Sequence, residues 1–162
     1  MTGFAMTPHP PRRYAAHMRV SDVLSSKGST TIHTIRPEAT VSELLDALAE
    51  HNIGALVVSK DGTSMLGIVS ERDIVRKIRD FDDPKGVTVE QIMTSDVQVC
   101  APDDSFGLLM SIMTEHRVRH VPVLDGDQLV GVLSIGDAVK QRMDQLEFER
   151  DQLNDYVSRG GS

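Results

Sequence analysis

Cysteine is nearly absent from this 162-residue chain, which carries only Cys100, and tryptophan is missing altogether. A single thiol excludes a disulfide framework and a zinc site built on cysteines. Two tyrosines and four phenylalanines are the only aromatics, too few for a platform on which single-stranded nucleic acid would stack. No apolar run approaches the roughly 18 residues a membrane-spanning helix needs. Basic residues are outnumbered, 17 against 24 acidic, for a net charge of −7. That balance argues against a general nucleic-acid binder, which would present a basic face. It leaves room for a local anion site, because local and net charge are separate matters. Neither G-x-G-x-x-G nor G-x-x-x-x-G-K-[ST] occurs, so no Rossmann fingerprint and no P-loop point to an enzyme. The rest is ordinary for a soluble domain, at 40% hydrophobic and 25% charged. A chain of this length buries about 70% of its unfolded surface. The simplest reading is a cytoplasmic protein.

Residues 1–17 hold Pro8, Pro10 and Pro11, then Arg12 and Arg13. They lack the apolar stretch of a secretory signal and read as a disordered tail. The structured pattern opens at Met18.

Beyond the tail the chain repeats itself. Val41, Leu44, Leu45 and Leu48 mark one apolar helix face, and Phe106, Leu109, Met110 and Met113 mark another at the same spacing. Pro37 and Pro102 precede these helices. Ala55-Leu56-Val57-Val58 aligns with His120-Val121-Pro122-Val123 as short buried strands. Asp61-Gly62 and Asp125-Gly126 are hairpin turn signals. Gly67-Ile68-Val69-Ser70-Glu71-Arg72-Asp73 then matches Gly131-Val132-Leu133-Ser134-Ile135-Gly136-Asp137, with a further helix after each. Upstream, Val20-Ser21-Asp22-Val23-Leu24 matches Val89-Glu90-Gln91-Ile92-Met93. The predicted organisation is a tail over 1–17, a repeat over 18–80, a linker over 81–87, a repeat over 88–142 and a C-terminal helix and tail over 143–162. Neither repeat can cover a sheet alone, so the two complete one core together.

Read by their chemistry alone, Ser70-x-x-Asp73 and Ser134-x-x-Asp137 are capping boxes, with Asp favoured in a first helical turn. The same carboxylates have acceptors suited to paired hydroxyls, such as those of a ribose. Arg119 and His120 open a strand. They are either a solvent-facing edge or phosphate ligands, with the Arg fork and a partly charged imidazole as donors. Gly54 and Ala55 hold the matching positions of the first repeat, so the two halves cannot share one phosphate chemistry. Arg72 and Arg76, four apart on one helix face, partly compensate. Leu56, Ile68, Val121 and Val132 read as core packing. His116 and His120 lack a third metal ligand, and no metal site is expected. Cys100 lies between apolar residues and reads as a buried, inert thiol.

The two Gly-x-x-Ser-x-x-Asp stretches, the Arg119-His120-Val121-Pro122-Val123 strand and Ile92-Met93-Thr94 resemble a pair of CBS domains, the Bateman module, over about residues 18–142. The resemblance implies an α+β fold of two β-α-β-β-α repeats packed through their sheets with pseudo-twofold symmetry. It implies a non-catalytic regulatory module that binds AMP, ADP, ATP, NAD or S-adenosylmethionine and reports occupancy to an effector protein. NAD would bind there as a signal. In the family the Asp of each motif holds the ribose, here Asp73 and Asp137. Phosphate would fall to Ser70, Arg72, Arg76, Arg119, His120 and Ser134, and adenine to Leu56, Ile68, Val121 and Val132. A ligand-free interaction or dimerisation module is the alternative.

Val139, Met143, Leu146, Arg150, Leu153 and Val157 step by alternating fours and threes, a heptad seam broken by Arg150. It either packs on a second copy, giving a homodimer, or folds back on its own core. No membrane or nucleic-acid partner is expected.

Overall fold

The computed structural model describes residues 18–28 and 31–160, so the tail predicted over 1–17 lies outside the described residues. The first half runs α1 (Val20–Ser26), β1 (Thr34–Ile35), α2 (Val41–His51), β2 (Ala55–Val58), β3 (Gly67–Ser70) and α3 (Glu71–Lys77). The second runs α4 (Val89–Ile92), α5 (Phe106–Glu115), β4 (His120–Asp125), β5 (Gln128–Ser134) and α6 (Ile135–Gly160).

Local signals place these elements. Thr40 and Glu43 form a reciprocal cap at the start of α2, and the Ser105 hydroxyl accepts from the Leu108 amide to start α5. The helices bury Val41, Leu44 and Leu48, and Phe106, Leu109 and Met113, on the predicted spacing. Leu45 and Met110, counted with those faces from the sequence, are exposed instead. At one turn per 3.6 residues they fall at the edge of the buried stripe. Asn52, after α2, and Arg117, just past α5, both adopt left-handed conformations, with φ of 51° and 52°.

Strand β1 pairs parallel with β2, and β2 antiparallel with β3. In the other half β4 and β5 form an antiparallel hairpin. There Cys100 makes a single parallel bridge to Val123, in the position β1 occupies in the first half. The β4–β5 hairpin turns tightly at Gly126, whose φ of 61° suits glycine. The tight turn expected at Asp61–Gly62 is a wider loop. Asp61 accepts from the amides of Thr63 at 2.9 Å and Ser64 at 2.8 Å, which folds the chain around the carboxylate. Those bonds hold its pKa well below the usual carboxylate range.

The two cores do not follow the two sequence repeats. One holds Leu44, Leu56, Val58 and Val69 together with Val87, Val89 and Ile92 from the start of the second repeat. The other holds Leu109, Val121 and Leu133 together with Met18, Val20 and Val23 from the start of the first. The leading helices are exchanged, and the same hydrogen bonds fix both. The Val89 amide donates to Ala39 and that of Glu90 to Pro37; the Val20 amide donates to Asp104 and that of Ser21 to Pro102, at 2.8–3.0 Å. The predicted linker is anchored at both ends, by Phe81 against the first core and by Val87 within it.

Gly67 sits where β3 meets the segment after α4. The amide of Ile68 donates to the Thr94 carbonyl and that of Thr94 to Ile68. A Cβ on Gly67 would stand 2.5 Å from the Thr94 carbonyl oxygen. Because that atom is backbone, it cannot swing aside. Gly67→Ala is expected to cost about 1–3 kcal/mol, the usual penalty of overpacking. A chemical-denaturation midpoint equal to that of the parent would contradict this.

Helix α6 is continuous from Ile135 to Gly160, so the C-terminal helix expected from 143 is an extension of the helix that follows β5. Its first turns bury Ala138. The seam residues Val139, Met143, Leu146, Leu153 and Val157 are all exposed, which excludes their folding back on the core. Cys100 is buried beside the Pro122 carbonyl. Burial, with Asp104 adding to it, pushes its thiol up to about 12, so the sulfur is protonated and inert at neutral pH.

Candidate functional site

Exchange of the leading helices brings each Ser-x-x-Asp turn against the opposite repeat and leaves two clefts. The cleft of about 610 Å³ takes Ile32, His33, Ile53, Gly54 and Ala55 from the first repeat. It takes Val132, Ser134 and Asp137 from the second. The cleft of about 710 Å³ takes Val97, Gln98, Val118, Arg119 and His120 from the second repeat, and Ile68, Ser70 and Asp73 from the first. The sets correspond position by position, and each cleft is built from both halves.

Both carboxylates cap the helix that carries them. Asp73 Oδ2 accepts from the Ser70 amide at 2.9 Å, while the Asp73 amide donates to Ser70 Oγ. Asp137 Oδ2 accepts from the Ser134 amide at 2.8 Å, and the Asp137 amide donates to Ser134 Oγ at 3.2 Å. Each also meets a partner from another element. Thr94 Oγ1 donates to Asp73 Oδ1 at 3.0 Å. Lys77 lies 3.5 Å from the same oxygen while donating to the Ile92 carbonyl at 2.8 Å. Lys27 pairs with Asp137 at 2.8 Å and donates to the Val132 carbonyl at 2.8 Å. Burial acts to raise the Asp137 pKa, but the Lys27 and Ser134 hydrogen bonds outweigh it and hold the carboxyl below its ordinary value.

Several sequence-based assignments change. Leu56 and Val121 are 2% and 0% exposed and belong to the two cores. They do not form an adenine slot. Ile68 and Val132 do reach the clefts. Arg119 lines the cleft of Asp73, so the cation thought to be missing from that motif's site is supplied by the other repeat. Arg72 and Arg76 line the same cleft, and Arg72 Nη1 donates across the repeats to the Arg117 carbonyl at 3.2 Å. His120 borders both clefts. Burial lowers its pKa against the pull of Asp137 and Glu71, which favours the neutral ring.

Sequence reasoning missed Lys27, Ile32, His33, Ile53, Thr94, Val97, Gln98 and Val118. The repeat spacing carried a signal for most of them. Ile32 and Val97, His33 and Gln98, and Ile53 and Val118 are each 65 apart in sequence, the same offset that relates α2 to α5. His33 is further fixed by stacking on His51, with ring centroids 3.8 Å apart. Among the described residues no group of three or more His, Cys, Asp or Glu side chains is placed to hold a metal ion. No helix among them is long and apolar enough to cross a membrane.

This architecture has close counterparts. A mitochondrial CBS domain-containing protein of Arabidopsis thaliana, CBSX3, is 34% identical over 149 residues, covering 87% of this chain and 72% of its own. The solved structure of a protein with CBS domains from Burkholderia ambifaria MC40-6 is 42% identical. It covers 78% of this chain and 95% of its own, with a TM-score of 0.73. Two more distant structures share the fold. CBSX2, solved in complex with AMP, is 22% identical with a TM-score of 0.67, over 78% of this chain and 97% of its own. The CBS domain pair of MJ0100, solved with 5′-methylthioadenosine and S-adenosyl-L-methionine, is 23% identical with a TM-score of 0.69, over 79% and 98%. The CBS-domain family model matches twice, over residues 20–80 and 89–144. The chain is a member of the CBS-domain family, with two tandem copies of the domain.

Proposed function

We propose that this protein is a non-catalytic cytoplasmic sensor. It binds an adenosine-containing ligand and passes occupancy to an effector protein. One observation carries the reading: two composite clefts, each with a Ser-x-x-Asp carboxylate on one wall and apolar side chains on the other. A carboxylate accepts from both hydroxyls of a ribose. Ile32, Ile53 and Val132 in one cleft, and Val97, Val118 and Ile68 in the other, offer apolar surface to a purine. The AMP, 5′-methylthioadenosine and S-adenosyl-L-methionine complexes of related folds support this ligand class. AMP, ADP, ATP and NAD are the ligands we propose. A ligand touching both repeats favours one angle between them, to the extent that it binds that arrangement better.

A thermal-shift panel of AMP, ADP, ATP, NAD and S-adenosylmethionine tests the proposal. A ligand at about 100 times its dissociation constant adds about 2.7 kcal/mol, roughly 5–10 °C for a chain of this size. A shift with at least one of these ligands, absent with inorganic phosphate, is the expected result. The second reading is a ligand-free interaction module. It is favoured by the engagement of both carboxylates with Lys27, Lys77 and Thr94. A flat panel, from protein whose 260/280 nm absorbance ratio shows no copurified nucleotide, would establish that reading over the sensor.

We further propose that the exposed seam of α6 pairs with a second copy of the chain. The stripe keeps heptad spacing over residues that the fold leaves uncovered. Leu146→Glu combined with Leu153→Glu is expected to convert a dimer to a monomer by light scattering. An unchanged dimer mass would remove the seam as its cause.

A further inference from the structure

The two clefts are not chemically equivalent. At the position where the Asp73 cleft has Arg119, the Asp137 cleft has Gly54. Arg76 and Arg119 are both exposed at the Asp73 cleft, and neither has a hydrogen-bonded or ion-paired side chain among the described residues. Lys77 and Arg72 line the same cleft, with Glu71, Asp73 and Asp96. Lys77 lies against Asp73 and Arg72 donates to the Arg117 carbonyl, which leaves the guanidiniums of Arg76 and Arg119 as the available donors. Among the described residues the Asp137 cleft has one Lys or Arg, Lys27, and its ammonium is already held by Asp137 and the Val132 carbonyl. His120 borders both clefts, so it does not distinguish them.

From this contrast, and resting on the nucleotide-binding reading above, we infer that the clefts divide adenosine ligands by charge. The Asp73 cleft takes a phosphorylated adenosine, its phosphate bound by Arg76 and Arg119. The Asp137 cleft takes an adenosine without phosphate. A guanidinium with no internal partner gains a charge-assisted bond at little cost. A phosphate in the Asp137 cleft would have to share Lys27 with Asp137 and would stand close to that carboxylate's like charge.

Calorimetric titration with AMP and with adenosine tests the division. Arg76→Gln combined with Arg119→Gln is expected to weaken AMP by at least about tenfold, the effect of losing a hydrogen bond to a charged group. It should also flatten the salt dependence of AMP binding and leave adenosine unchanged. Asp137→Asn should weaken adenosine and leave AMP unchanged. Both Arg side chains are exposed, so the double variant is expected to keep the parent melting temperature. AMP affinity unchanged in the Arg double variant, or lost in Asp137→Asn and retained in Asp73→Asn, would overturn the division while leaving the nucleotide reading intact. A chain that binds neither AMP nor adenosine would overturn both.

Discussion

A chain that begins at residue 28 is expected not to fold. The deletion removes Met18, Val20 and Val23 from the core built on Leu109, Val121 and Leu133. Full burial of such side chains contributes about 1.5–3 kcal/mol each. Together that is about 5–9 kcal/mol, comparable to the entire stability of an ordinary domain. The deletion also orphans the carbonyls of Pro102 and Asp104, which accept from Ser21 and Val20. The damage falls on the second repeat, although the deleted residues belong to the first by sequence. For the same reason, residues 1–81 and 82–162 expressed separately should each lack a cooperative melt, and mixing them should restore one. A cooperative thermal transition in isolated 82–162, matching that of the intact chain, would show that the exchanged helix is not needed. The milder pair Val20→Ala and Val23→Ala asks the same question without removing Lys27, and should lower stability by several kcal/mol in total.

Asp73→Asn and Asp137→Asn together are expected to abolish the ligand-induced thermal shift. An Asn side chain can still accept from the Ser70 and Ser134 amides, so most of each cap survives. What is lost is the negative acceptor for the two ribose hydroxyls, and with it the roughly 2.7 kcal/mol of stabilisation expected at 100 times the dissociation constant. Lys27 and Lys77 lose their carboxylate partners as well. Both pairs are part-exposed, so the cost to the unliganded protein should be small, within about 1 kcal/mol. A shift retained at parental size in the double variant would show that ligand binds away from these carboxylates.

The repeat was legible because burial imposes the same apolar spacing on α2 and α5, and the same turn chemistry on both Ser-x-x-Asp stretches. The exchange was not legible. Helices α1 and α4 have similar patterns, and an apolar face does not record which of two similar cores it enters. That hidden step explains the misplaced cleft residues. Sequence order groups Arg119 with Asp137 and Gly54 with Asp73, whereas the fold pairs Arg119 with Asp73 and Gly54 with Asp137. Leu56 and Ile68 looked equivalent as apolar strand residues. Strand alternation sends neighbouring side chains to opposite faces, and only the packing of the second repeat decides which face borders a cleft. The length of α6 was legible from its heptad spacing. Its continuity with the second repeat was not, because nothing in the sequence marks a break or its absence near residue 143.

The central claim is that the ribose of an adenosine ligand rests on the Ser-x-x-Asp carboxylates, inside clefts that both repeats build. A crystal structure of the protein grown with AMP tests it most directly. The account predicts density for the nucleotide in the cleft of Asp73, with its ribose hydroxyls in hydrogen-bond range of that carboxylate and its phosphate beside Arg76 and Arg119. Nucleotide bound elsewhere on the surface, with both clefts empty and the Lys77–Asp73 and Lys27–Asp137 pairs intact, would contradict it.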